Sequence, residues 1–510
     1  MGKALKEKVI RNTISCGASS TISILANFLL MPFMISRLGI IEYGLIGMSA
    51  IFTVGGCVSL LEMGLQSSIS KYVAEYNAKN NHIKIAKIIC TSLIMFLLLG
   101  LTLTISGILL SNFIVHNLLE IPQEYHLSFR IALFIIFSSY IFQFPNFVVV
   151  GFLSGMQRFD ILKGTQIVVT ILYTGGVVLL LWLEHNYLSI IIFQTCMLFL
   201  QFNFYSWMIL RHNKFLRFKF SNFSIGSMRE VFNMTKFLFI NRLSGLVFYN
   251  TPRIIIGIFL GPIFMTSYEA VIKISGAIKV ALGFINSAIM PAASELYANK
   301  NTNILRELFL KTCRYQLVAV FPVVTGFMFL AQSFYRLWLG ADFVKLAPLL
   351  WIALVFNLTT PFITVGGAMM IGMNRKLKSL TLLSIMNALL NIIIILLLIQ
   401  KYELRGVFIG LSSSTLAMLP FYLKMFFKEF NIKAEVFLKE SVVVAALVIF
   451  PLILISIINK IVVYNNYFTL FSKGFMWCLS YWSMLYIFVL DDKDRDIFKG
   501  LKRKLCLVQK

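Results

Sequence analysis

Twelve stretches of 17 or more residues contain no Asp, Glu, Lys or Arg: 12–36, 44–61, 88–119, 131–157, 164–183, 186–210, 315–335, 346–374, 379–400, 406–423, 441–459 and 474–490. Two more apolar segments, 237–259 and 263–294, have helix length but carry charges. An α-helix needs roughly 20 apolar residues to cross the hydrocarbon core of a bilayer, so the pattern predicts about fourteen transmembrane helices. Inside a bilayer every backbone N–H and C=O must be satisfied by the structure itself, which leaves helices or a closed barrel. Nothing alternates with the period of two that a barrel requires, so the chain reads as an all-α integral membrane protein. Its 59% hydrophobic and 13% charged residues agree, lying outside the range of soluble domains. The basic start and first apolar stretch imitate a signal peptide. That stretch is too long, however, and has no convincing small-residue cleavage site, so it reads as a retained helix.

A formal charge of +25 is also what nucleic-acid binding would require, but the basic residues sit in short loops between apolar runs. There they orient the chain in the bilayer. With the N-terminus in the cytoplasm, the inner segments hold 34 Lys and Arg and the outer loops about eight. The remaining four lie within the seventh and eighth helices. The alternation puts both termini in the cytoplasm and excludes nucleic acid as a partner. No loop is large enough for a soluble domain. The seven Cys show no CxxC spacing and the five His no metal-ligand spacing, so neither a disulfide framework nor a metal site is expected. No nucleotide-binding loop appears either, so ATP is not the direct energy source.

The chain also carries a repeat. Leu38-Gly39 leads to Ala74-Glu75-Tyr76-Asn77-Ala78-Lys79-Asn80, and Leu260-Gly261 leads to Glu295-Leu296-Tyr297-Ala298-Asn299-Lys300-Asn301. Gly39 to Tyr76 is 37 residues and Gly261 to Tyr297 is 36. A duplicated unit of six helices follows, and because six is even the two copies point the same way. The expected architecture is two parallel six-helix lobes, residues 1–220 and 221–432, related by a pseudo-twofold axis along the membrane normal. They would flank a central cavity, with two further helices and a basic tail in 433–510. Parallel repeats of this kind bind substrate between the lobes.

Leu38-Gly39, Tyr43-Gly44-Leu45, Leu60-Leu61-Glu62-Met63-Gly64-Leu65 and Ser70-Lys71-Tyr72-Val73-Ala74-Glu75-Tyr76 resemble the start of polysaccharide-biosynthesis flippases. These include the O-antigen flippases and share a superfamily (MOP) with the MATE drug exporters and the lipid II flippase. The resemblance is detailed over residues 10–90. It implies two six-helix lobes in a bacterial cytoplasmic (inner) membrane. The function it implies is movement of an undecaprenyl-pyrophosphate-linked oligosaccharide, of the O-antigen, lipopolysaccharide or capsule type, from the cytoplasmic to the outer leaflet. No cofactor is implied, and the coupling ion, Na+ or H+, stays open. Polysaccharide polymerase or assembly machinery is a candidate partner.

Charges within the helices mark the expected site, because an ionised side chain at the bilayer centre costs at least ~3 kcal/mol and normally faces a cavity or a partner. The seventh helix carries Arg242 and Arg253, and the eighth carries Glu269, Lys273 and Lys279. The net sign is positive, which suits a diphosphate. Arg253, Lys279, Lys273 and Arg242 are therefore the candidate substrate-binding residues, with Glu269 and Glu62 as cavity acids or ion-coupling groups. Asn27, Asn250, Asn387 and Asn391 are candidate polar lining. Structural roles remain open for several of these: Arg242 is near enough to the inner interface to snorkel, Glu269 and Lys273 are spaced as an i,i+4 pair, and polar residues also bond neighbouring helices. Two other functions compete. A MATE-type exporter typically uses an acid deep in its first lobe, which the first helix lacks. A lipid-sugar enzyme calls for clustered outer carboxylates, where this chain has only Glu120 and Glu124, four apart.

Overall fold

The computed structural model describes residues 3–53, 56, 62, 64–212, 223–439 and 466–488. Within these, the side chains of 3–16, 232–242, 244, 246, 281, 284–285 and 287–288 are not described. Among the described residues there is no strand. Twelve helices carry the fold: α1 (Lys3–Ser49), α2 (Leu65–Ala78), α3 (His82–Phe113), α4 (His126–Gly155), α5 (Phe159–Trp182), α6 (Tyr187–His212), α7 (Ile225–Phe259), α8 (Pro262–Ala298), α9 (Thr302–Trp338), α10 (Ala347–Gly372), α11 (Leu377–Phe430) and α12 (Tyr467–Phe488). Eight described helical segments are long and apolar enough to cross a membrane, as expected of a multi-pass membrane protein. The expected thirteenth span, 441–459, lies outside the described residues.

Two of these helices are too long to be single rods. α11 has 54 residues, about 80 Å at 1.5 Å per residue, and reverses at Glu403 (φ 48°, ψ −130°). α1 reverses at Gly39 (φ 80°, ψ 176°), so its last ten residues belong to the second expected span. That span, an unbroken apolar run in the sequence, is not a single helix. It passes into a 3-10 turn at Ala50–Phe52 and an extended Thr53 (φ −82°, ψ 169°), and α2 begins after Gly64, which has φ 74°. α12 begins at Tyr467, earlier than the charge-free run at 474, so Lys473 is a helical residue and not a loop residue.

The repeat reappears as local geometry. α2 closes with a left-handed Asn80, where Asn81 N–H bonds to Tyr76 O and Asn80 N–H to Asn77 O. α8 closes identically at Lys300, with Asn301 N–H on Leu296 O and Lys300 N–H on Tyr297 O. Both closures satisfy carbonyls that the last turn leaves open. Hydrogen-bond register pairs Tyr297 with Asn77, one position from the match of the two tyrosines that sequence similarity favours. A second recurrence escaped the sequence reading: Gly155-Met156-Gln157-Arg158 and Gly372-Met373-Asn374-Arg375 turn alike, through left-handed Gln157 and Asn374. A Cβ on Gly155 would lie 2.6 Å from the Ser70 carbonyl of α2, and one on Gly372 would meet the Met290 carbonyl of α8. Glycine is what lets α4 close on α2, and α10 on α8. Pro32 and Pro252, and Pro145 and Pro361, also recur about 220 residues apart.

The chain divides into two compact units: Met1–Ala270 with Ser384–Val407, and Val271–Leu383 with Phe408–Lys510. In the first, α3 packs along α4, α1 along α5, and α4 also touches α2 and α6. In the second, α9 packs on α10 and on α12. Trp477 Nε1–H donates to the Pro322 carbonyl at 2.7 Å, within a core of Leu317, Val318, Leu330, Tyr481 and Leu485.

Candidate functional site

Gly261 (φ 79°) reverses the chain between α7 and α8 and so brings together side chains 16 residues apart. Arg253 Nε lies 2.7 Å from Glu269 Oε1, and its Nη2 lies 3.4 Å from Oε2. This side-on fork uses both oxygens of the acid, the geometry in which Arg outperforms Lys. The pair is largely enclosed, with Arg253 25% and Glu269 12% exposed. The wall around it is tight. Thr266 Oγ1 donates to Ile40 O at 2.6 Å, a Cβ on Gly47 would touch Met265 and Glu269, and buried Tyr43 and Tyr268 are electrostatic neighbours of both charges. A lone ion here would be costly, so each partner stabilises the other's presence.

The other candidates fall in different settings. Lys273 and Lys279 lie further along α8 in the second unit, both half-buried. Arg242 is on α7, but its side chain is outside the described residues. Glu62 is 8% exposed, and its carbonyl accepts Leu65 N–H at 2.9 Å, where the broken second span resumes its helix. On α11, Asn391 is fully buried and Asn387 is half-buried with its Oδ1 making no hydrogen bond. Asn250 is committed to structure: its Nδ2 donates to Gly56 O at 3.3 Å.

That bond belongs to a device the sequence did not disclose. Where the second span leaves helical geometry at Thr53, side chains of other helices donate to its carbonyls. Asn250 of α7 does so at Gly56, and the Tyr140 hydroxyl of α4 at Phe52. Irregular backbone at membrane depth survives only where protein groups satisfy it in this way. Other polar groups passed over are Asn357, which exchanges bonds with Ser275, and Gln316, which donates to Asn286 at 2.7 Å. Lys473 is 3% exposed and was missed because it abuts the apolar run. Only the i,i+4 polar spacing within apolar runs carried a signal for any of these.

Beyond the membrane-length helices, Tyr76 OH donates to Glu230 Oε1 at 2.7 Å and Tyr72 OH to Glu230 O at 3.2 Å, tying α2 to the first turns of α7. Burial and then the Glu230 bond push the Tyr76 hydroxyl up to about 12. A raised pKa contributes stability that is lost only as pH rises toward that value, so this tie is intact at neutral pH.

A family model described as polysaccharide biosynthesis protein matches residues 9–297. No curated protein sequence matches the chain. Among solved structures, the lipid II flippase MurJ in its inward closed conformation superposes with a TM-score of 0.70 at 14% identity, covering 96% of this chain and all of that one. A multidrug-resistance MATE transporter of the MOP superfamily, inward-facing, gives 0.66 at 15% identity, over 81% of this chain and 94% of its own. A MOP superfamily transporter from Pyrococcus furiosus gives 0.55 at 17% identity, over 84% and 96%. The fold is therefore that of MOP superfamily transporters.

Proposed function

We propose that this chain, which belongs to the polysaccharide biosynthesis protein family, is a flippase that moves an undecaprenyl-pyrophosphate-linked oligosaccharide from the cytoplasmic to the outer leaflet. It is a transporter, not an enzyme. The observation that carries the reading is the enclosed Arg253–Glu269 fork on helices that otherwise bring only cations, Lys273 and Lys279, to their described apolar stretches. With Glu269 matched to Arg253, the surplus charge along α8 is positive, and a diphosphate is the lipid-borne group that answers it. In the absence of substrate the acid holds the guanidinium in place. A diphosphate competes for Arg253 while the polyprenyl tail stays in lipid, and alternating access carries the headgroup across. A Na+ or H+ gradient or the membrane potential drives the cycle, and no cofactor enters it.

Support comes also from the structural neighbours, one of which is named as a lipid II flippase. For the Pyrococcus protein, reversed polarity of the binding pocket is said to suggest a different function, so pocket sign is the property to test. In cells that depend on this chain for surface polysaccharide, a variant lacking both Arg253 and Lys279, inserted at native abundance, should export roughly tenfold less or lower, the scale of one lost charge-assisted contact at the rate-limiting barrier. Lys279→Arg should retain most export. Normal polysaccharide in the double variant would refute the proposal.

A further inference from the structure

A second site in the first unit is uncharged. A cavity of 180 Å³ opens between α1, α5 and α6, and its walls include Ser23, Asn27, Thr170, Tyr173, Thr174 and Gln194. No Asp, Glu, Lys or Arg lines it. Polar groups from three membrane helices converge on one hollow whose remaining wall is apolar, with Ala26, Leu30, Val169, Met197 and Leu198.

The hydrogen bonds already made define its occupant. Asn27 Nδ2 donates to Ser23 O, Thr170 Oγ1 to Gln166 O and Thr174 Oγ1 to Thr170 O, each at 2.8 Å. Both threonines use their one donor on their own helix, and Ser23 Oγ lies 3.5 Å from Thr170 Oγ1, so what the threonines keep for the cavity is acceptor capacity, one lone pair on Thr170 and two on Thr174. Donors stand beside them: the Tyr173 hydroxyl and the Gln194 amide make no hydrogen bond among the described residues. The Tyr173 ring is stacked on Phe193, with centroids 6.2 Å apart and planes at 13°, which fixes its hydroxyl.

A hollow offering acceptors and donors side by side, without charge, matches hydroxyl groups, each of which donates once and accepts twice. It does not match a diphosphate, which only accepts, or a drug cation, which needs an acid or an open aromatic face. Its volume is about that of six waters at ~30 Å³ each, the scale of one sugar ring and too small for a chain of them. Tyr43, in the same unit, interacts electrostatically with Tyr173 of this hollow and with Glu269 and Arg253 of the fork. Sugar and diphosphate are adjacent in the substrate. We infer that this cavity is a sugar subsite, holding one neutral ring of the oligosaccharide while the Arg253 wall holds the diphosphate; the inference rests on the flippase reading.

The test uses the full chain, purified and studied by native mass spectrometry with two probes. One is bare undecaprenyl pyrophosphate; the other is the lipid-linked oligosaccharide pool extracted from the producing cells. Wild type should bind the sugar-bearing pool about tenfold tighter, the scale of two neutral hydrogen bonds. The Tyr173→Phe, Gln194→Leu double variant should lose that preference and bind the bare lipid as wild type does. If the double variant does not fold, as judged by lost binding of the bare lipid, the isosteric Thr170→Val should still reduce the preference about threefold. Preference retained in a folded variant, or absent from wild type, would overturn the subsite. Wild type that binds neither probe would instead overturn the flippase reading itself.

Discussion

The segment after Gly39 and the segment after Gly261 both begin at a positive-φ glycine and end with the same Schellman closure, yet one leaves helical geometry at Thr53 and the other is a single helix. α8 runs unbroken for 37 residues, although it contains Gly276, Gly283 and Pro291. Its counterpart leaves helical geometry at Thr53, is in turns at Gly56, Glu62 and Gly64, and α2 begins at Leu65. Glycine content alone does not explain the difference. What distinguishes the broken copy is that Tyr140 and Asn250, from other helices, accept the role of donor to Phe52 O and Gly56 O. A break within a membrane protein is thus stable where outside donors are in place. The two copies have also diverged chemically: the broken one carries the buried acid Glu62, the intact one the acid of a charged fork and two lysines.

The largest expected effect attacks the intact copy. Glu269→Ala leaves Arg253 enclosed without its acid, and removing one partner of such a pair costs about 3–5 kcal/mol. Thermal unfolding in detergent should fall sharply. Replacing both residues by Gln should restore most of the stability but not transport, and a double variant as unstable as Glu269→Ala would deny that the fork is a matched pair.

The next attacks the broken copy. Asn250→Ala removes one donor to Gly56 O and should cost about 1 kcal/mol, the scale of one neutral hydrogen bond. Tyr140→Phe should do the same at Phe52 O. Because both act on one break, their effects should be less than additive. Full additivity would show that the two bonds serve separate structures.

A smaller effect sharpens the comparison between the two Gly-Met-X-Arg turns. Arg158 pairs with Asp160, both exposed, whereas Arg375 and Lys376 both reach Glu429 at 2.9 Å. Burial alone would raise the Glu429 carboxyl, but hydrogen bonds from Lys376 and Arg375 hold it below the ordinary range. A depressed carboxyl contributes stability at neutral pH that is lost as pH falls through its folded pKa. Glu429→Gln should therefore be less stable than wild type near pH 7, the gap closing in acid. A gap independent of pH would assign the effect to packing.

Much of this was legible in the chain. Runs without charge mark the helices because the bilayer core leaves no alternative, and Arg253 and Glu269 stand out because charges there are rare. The two glycines from which the repeat was measured, Gly39 and Gly261, both have positive φ. The break in the second span was invisible, since Gly55-Gly56 and Gly64 resemble the glycines that α8 absorbs. Asn250 read as cavity lining because a sequence shows a polar group but not which carbonyl it meets. Tyr173 and Gln194 were passed over for a related reason: only the fold shows that they converge with Asn27.

The central claim is that this chain moves a lipid-linked diphosphate by way of the Arg253 wall. Its most direct test is translocation in vesicles containing the purified protein and lipid-linked oligosaccharide, following how much of the sugar becomes accessible to a membrane-impermeant glycosidase. Wild type should expose inner-leaflet substrate, and a variant with Arg253, Glu269 and Lys279 all changed to Gln, which removes the cations without leaving Glu269 unmatched, should do so roughly tenfold more slowly. Equal rates in the two proteins, or no movement by wild type under any imposed ion gradient, would contradict the account.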